Sequence, residues 1–206
     1  VALTSTERLV DEPEVVEVEQ RERDMVAVAA RTELGLVDTV VLGDSLVRKG
    51  LASPVRLVRA AASAPDRLRT RAVRAAALVR ARVDSPMETR TRLLLLLAGL
   101  PEPQIDIEFR DDHGIVLRRV DMGYRKARLG IEYDGRHHAT VVSQWEGDIT
   151  RREEFDLRDW RLVTLVAKDI YRTPSATIER VVAAMRSRGM RVPPLRDEWR
   201  AHFPGR

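Results

Sequence analysis

At Pro101 the hydrophobic period of the chain changes. Upstream, apolar residues recur at helical spacing; from Gln104 to Arg110, in Gln-Ile-Asp-Ile-Glu-Phe-Arg, apolar and polar residues alternate strictly, which is the pattern of a half-buried strand. Helical patterns return further on. A chain that switches period in this way folds as α+β, not as a helical bundle or a barrel.

The helix before the switch has both ends signalled. Ser85-Pro86-Met87-Glu88 combines an N-cap serine, a proline at the first helical position and a glutamate at the third, and the run passes through Leu93–Leu97 to Gly99 with Pro101 beyond. The leucines read as core. Strands are expected at 104–110, 115–122 and 128–134, with turns at Asp111-Asp112-His113-Gly114 and near 124–127, giving a three-stranded antiparallel meander. A helix near 143–158, a β-branched strand at 161–167 and a last helix from Thr173-Pro174 to near Gly189 complete an αβββαβα order with a mixed central sheet. Residues 84–190 therefore read as the main domain, and 191–206 as a basic surface extension. Residues 1–83 read as a helical, charge-segregated region. Within it, 25–49 carries a helical pattern broken at Gly35, Gly43 and Gly50, and 54–82 reads as two short basic helices hinged at Ala64-Pro65-Asp66.

Composition narrows the class. With 44% hydrophobic and 33% charged residues in 206, the chain has enough apolar side chains for a core and is not a disordered polyelectrolyte. The longest apolar run, Leu93 to Ala98, is far short of the roughly 20 residues that cross a bilayer, and no cationic-then-apolar leader is present, so a soluble protein is expected. The absence of cysteine excludes a disulfide scaffold, thiol catalysis and thiolate zinc sites, and fits the cytoplasm. Val1 in place of Met suggests that a start residue or a longer N-terminal segment is absent.

Charge is segregated. Glu7 to Asp24 holds eight acids against three arginines, whereas Arg56 to Arg82 holds eight arginines against Asp66 alone. Arg186 to Arg206 is basic as well. Phosphate backbones are the commonest partner of such a surface, which makes Arg69, Arg71 and Arg74 candidate nucleic-acid contacts. A solvated arginine-rich helix face is the plainer account. A third account docks the acidic stretch on the basic stretch of a second copy, which predicts a salt-sensitive homodimer.

The residues suited to chemistry lie in the meander. Along 129–134, Leu129, Ile131 and Tyr133 point one way and Glu132 and Asp134 the other, and a tight turn near Arg125-Lys126 puts Asp121 across from Glu132 if the two acids share a face. Carboxylates gathered on one sheet face repel unless a cation lies between them; hard oxygen donors at this spacing suit Mg²⁺ or Mn²⁺. The alternative is that one acid pairs with Arg119 or Arg136 and the face is merely solvated. Gly135 lets the chain turn at the strand end, so that His137 or His138 can reach the pocket as general acid, base or phosphate ligand. Either His is otherwise an exposed loop residue. Further on, Asp148 and Arg152 lie at i, i+4 on a helix, as a surface ion pair or with Arg151 as a phosphate clamp, and Trp145 and Trp160 read as core or lid.

The series Ser85-Pro86-Met87-Glu88, Val120-Asp121, Ile131-Glu132-Tyr133-Asp134-Gly135-Arg136-His137-His138, Asp148, Arg152 and Asp159-Trp160-Arg161 resembles the restriction-endonuclease-like domain related to very-short-patch-repair (Vsr) nucleases, over about residues 84 to 186. In actinobacteria such a domain often ends AbiEi-type antitoxins of type IV toxin–antitoxin systems. The resemblance implies a PD-(D/E)XK-type site in which Asp121 and Glu132 bind the metal and Glu88 is the acid from the first helix. It implies DNA as substrate, with Arg136, Arg151 and Arg152 near the phosphates, and a winged-helix module upstream of Val1. The Lys of the general pattern is Asp134 here, so the proton donor falls to His137, His138, Arg152 or Lys168. That departure leaves open an inactive DNA-binding regulator.

Overall fold

The chain divides after Ala81 into two units, each with its own core; the computed structural model describes residues 34–135 and 151–205. In the first unit, α1 (Leu36–Arg48), α2 (Pro54–Ala62) and α3 (Asp66–Ala77) pack on one another. Ser53 starts α2 by accepting the Arg56 N–H at 3.3 Å, with Pro54 at the first helical position, and Pro65 precedes α3 as the expected hinge. Small side chains make the seam, with Leu57, Ala61, Ala72, Ala75, Ala76 and Val79 buried. Gly43, expected as a break, lies inside α1. A Cβ there would stand 2.5 Å from Val79 Cγ2, so the missing side chain admits Val79 and does not end the helix. Arg67, Arg69, Arg71 and Arg74 are exposed; Arg69 pairs with Asp66 at 2.8 Å and Arg71 donates to the Leu34 carbonyl.

The second unit is α+β. Its first helix, α4 (Pro86–Leu97), starts as the sequence predicts, with Ser85 Oγ accepting the Glu88 N–H at 3.2 Å, and ends at Gly99, whose φ of +85° is the left-handed conformation that glycine supplies at helix ends. Four strands follow: β1 (Gln104–Arg110), β2 (Val116–Tyr124), β3 (Leu129–Tyr133) and β4 (Arg161–Leu165), in that spatial order. The first three are antiparallel and β4 runs parallel to β3, so the sheet is mixed. Residues 151–157 are helical (α5), and the expected helix residues 143–150 lie outside the described residues.

Leu129, Gly130 and Ile131 are buried in succession. Since consecutive strand residues face opposite ways, β3 is covered on both sides. One cover is the cluster of Ile107, Val120, Phe155 and Trp160, which Phe109 and Leu162 extend; α4 packs on β2 and β3. Trp160 is therefore core, as expected.

One expectation here needs correction. The β-branched run at 161–167 is a strand only to Leu165, because Asp169 Oδ2 accepts the Val166 N–H at 2.9 Å and opens a short helix, α6 (Ala167–Tyr171), ahead of α7 (Pro174–Ser187). The segment after Met190 runs along the surface and is anchored there: Arg196 N–H donates to the Ala98 carbonyl at 2.9 Å, and Trp199 and Phe203 are buried among otherwise mostly exposed residues. Two aromatics set among charges supply that anchor. Among the described residues, no helix is long and apolar enough to cross a membrane.

Candidate active site

Strand pairing decides where the acids meet. Met122 pairs with Ile131, and one further step along the same register sets Asp121 opposite Glu132, as strand parity predicts. Asp121 Oδ2 then accepts the Tyr133 N–H of the neighbouring strand at 2.8 Å. The parallel strand adds Thr164 beside Glu132 and Leu162 beside Gly130. Asp121, Glu132, Asp134, Arg151, Arg152 and Thr164, with Tyr133 and Leu162, line a pocket of about 330 Å³.

Burial dominates the electrostatics of the two facing acids. Burial raises the pKa of Asp121, and the charge of Asp84 adds to the effect, against the Tyr133 N–H and Arg151. Burial likewise raises that of Glu132, with Asp121 and Asp134 adding repulsion and Arg151 opposing. Arg151 donates to Glu132 Oε1 and, at 2.8 Å, to the Arg119 carbonyl, so the guanidinium bridges α5 to both central strands. Arg119, one of the two expected partners of these acids, turns instead to Glu108 at 3.3 Å and Asp106 at 3.9 Å.

Glu88 is the third residue of the capping box and the acid that the resemblance takes from the first helix. Its Oε2 accepts the Asp84 N–H at 3.0 Å, one residue upstream of the expected Ser85. Burial also raises its pKa, and the charge of Asp121 adds to that. Glu88 is therefore a cap residue that feels the charge of Asp121 without lining the pocket. Sequence reasoning passed over Asp84 and Thr164. Thr164 was within reach of it, since the parity of a fourth strand parallel to β3 selects that position.

Beside the pocket lies a second acid pair. Asp106 interrupts β1 with φ of +51° at the register position opposite Asp121. Arg82 bridges it to Glu108, at 2.8 Å to each, and Arg110 also binds Glu108. The Arg110 hydrogen bond, helped by Arg82 and Arg119, holds the Glu108 carboxyl below its ordinary pKa.

Arg136, His137, His138, Trp145 and Asp148 lie outside the described residues. Arg69, Arg71 and Arg74 belong to the first unit, and Lys168 is an exposed residue of α6 that does not line the pocket. Among the described residues, no group of three or more His, Asp or Glu side chains is arranged to hold a metal ion. The pocket offers a smaller set, two hard oxygen donors whose charged forms burial disfavours. Mg²⁺, which keeps most of its waters, suits such a set.

Two uncharacterized proteins from Mycobacterium tuberculosis, strains CDC 1551 / Oshkosh and ATCC 25618 / H37Rv, are each 29% identical to this chain over 100 residues, covering 48% of it. The match spans 36% of each relative's own length. No family model and no solved structure matches the chain.

Proposed function

We propose that this chain is a metal-dependent DNA endonuclease, with a restriction-endonuclease-like αβββαβα domain of the Vsr-like class. The observation that carries the reading is the juxtaposition of Asp121 and Glu132 across β2 and β3, in a pocket where burial raises the pKa of both acids. Perturbed acids in a cleft are characteristic of functional sites. Asp121 and Glu132 would hold Mg²⁺ or Mn²⁺, which when bound polarises a phosphate and acidifies its water. Arg152, on the pocket rim, would neutralise the substrate phosphate, and Arg151 would orient Glu132. Proton delivery to the leaving oxygen falls to His137 or His138. The basic helices of the first unit, with Arg69, Arg71 and Arg74, would hold flanking backbone, and the chain would act in the cytoplasm.

The test is cleavage of supercoiled, linear and mismatched DNA with Mg²⁺, Mn²⁺ or EDTA, with Glu132→Ala beside the wild type. Metal-dependent cutting that the variant loses is the expected result. A second reading, a DNA-binding regulator or antitoxin that does not cut, is favoured by the Arg151 guanidinium on Glu132, an internal cation at the acid a metal would need. It predicts salt-sensitive DNA binding in both proteins and turnover in neither.

A further inference from the structure

The acid pocket is the first of three cavities in a row. It shares Arg152 and Leu162 with a second cavity of about 250 Å³, and the second shares Asp159 and Trp160 with a third of about 510 Å³. The walls of the second and third carry six arginines, Arg125, Arg128, Arg152, Arg158, Arg161 and Arg188, against two acids, Asp156 and Asp159. The floor beneath is rigid: Phe109 meets Phe155 and Trp160 edge-on, with ring centroids 5.1 and 4.8 Å apart.

One acid organises much of the row. Asp159, in the left-handed conformation at φ of +55°, holds Arg188 at 2.9 Å and Arg128 at 3.2 Å. Among the described residues, Arg125 and Arg158 have no carboxylate within ion-pair distance; their guanidinium groups donate at 3.4 and 3.5 Å to the carbonyls of Glu108 and Glu154. Both are exposed, as are Arg128, Arg152 and Arg161. A folded chain that gathers six arginines beside two acids is arranged for an external polyanion.

We infer that this row of cavities is a backbone track for a nucleic-acid strand, which enters at the acid pocket, passes Arg152 and leaves over Arg125 and Arg158. The inference rests on the nuclease reading, because the track begins in the pocket where that reading puts a phosphodiester. Continuity through Arg152 and Leu162 favours a strand over an acidic protein, since a strand presents a phosphate at every step and can occupy pocket and track together. The contacts are to backbone, so the track is indifferent to sequence.

The experiment measures duplex DNA affinity of the full chain between about 50 and 300 mM salt, for wild type, Arg125→Ala/Arg158→Ala and Arg125→Lys/Arg158→Lys. The expected result is a salt slope shallower by about one per arginine removed, and affinity weaker by about 5- to 10-fold at about 100 mM salt on every sequence tried, with the lysine variant close to wild type. Melting temperatures of the three proteins confirm that each is folded. A wild type that binds DNA while the alanine variant keeps its slope overturns the track and leaves the nuclease reading standing. A wild type with no salt-dependent DNA affinity overturns both. Binding of poly-glutamate that matches DNA, and that the alanine variant loses, assigns the row to an acidic protein and overturns the inference.

Discussion

Two acid pairs lie side by side in the sheet of the second unit, and their surroundings differ. Asp106 and Glu108 meet Arg82, Arg110 and Arg119, and the Glu108 carboxyl is held below its ordinary pKa. Asp121 and Glu132 share Arg151, with Asp84 and Asp134 adding negative charge, and both carboxyls are pushed up. The first pair closes its own electrostatic account. The second is held back from ionising chiefly by burial, and buried acids with raised pKa values in a cleft are characteristic of functional sites. The contrast sets the β2–β3 acids apart as the proposed site and the β1 acids as a brace.

The largest expected effect is on turnover. Asp121→Ala should lower metal-dependent cleavage by about 100-fold or more, because a hard oxygen ligand is lost, whereas Asp106→Asn should change it by less than about 3-fold. Initial rates on supercoiled DNA check both. Equal losses in the two variants would erase the distinction between site and brace.

Next in size is stability. Asp106→Ala removes the acceptor of Arg82 and sets an alanine at φ of +51°, a conformation that costs a residue with a Cβ; together these should destabilise by about 2 kcal/mol. Asn tolerates that conformation, so Asp106→Asn should lose clearly less in thermal or denaturant unfolding.

The β2–β3 half of this contrast was legible in the sequence, and the illegible part, the brace on Asp106 and Glu108 included, has a physical pattern. Strict alternation in 104–110 and 129–134 fixed which side chains share a strand face, and one turn then sufficed to put Asp121 near Glu132. Ser85 and Pro86 announced α4 for the same reason, since a cap depends on neighbours three residues away. Arg151 on Glu132 was not legible, because partner choice among arginines is settled by tertiary distance and not by spacing. Gly43 was misread because a glycine that admits Val79 looks in sequence like one that ends a helix. The arginine track draws on the β2–β3 turn, α5, β4 and the end of α7, so no window of the sequence contains it.

Acid titration sharpens the comparison with opposite signs. For Glu108, whose folded pKa is lowered, stabilisation is complete above its usual 4.5 and is lost as pH falls through the lower folded value. Glu108→Gln should therefore melt below wild type at neutral pH, with the gap closing in acid. For Asp121, whose folded pKa is raised, no penalty exists below its usual 3.8; the penalty grows as pH rises through the folded value and is complete above it. Asp121→Asn in metal-free protein should accordingly melt above wild type at neutral pH and converge on it in acid. Melting curves from pH 3 to 8 decide, and two variants that shift the same way would mean that the pairs do not differ in compensation.

The smallest effect belongs to Glu88, which stands between the two classes. Gln at this position can still accept the Asp84 N–H, so Glu88→Gln keeps the cap and sheds a charge that burial and Asp121 disfavour; neutral-pH stability should move by no more than about 0.5 kcal/mol, and upward. Glu88→Ala loses the cap and should cost about 1 kcal/mol. If the carboxylate also serves the pocket, cleavage falls in both variants although only one loses the cap. If it is a cap alone, Glu88→Gln cuts at the wild-type rate, and the acid cluster of the site shrinks to the residues of β2 and β3.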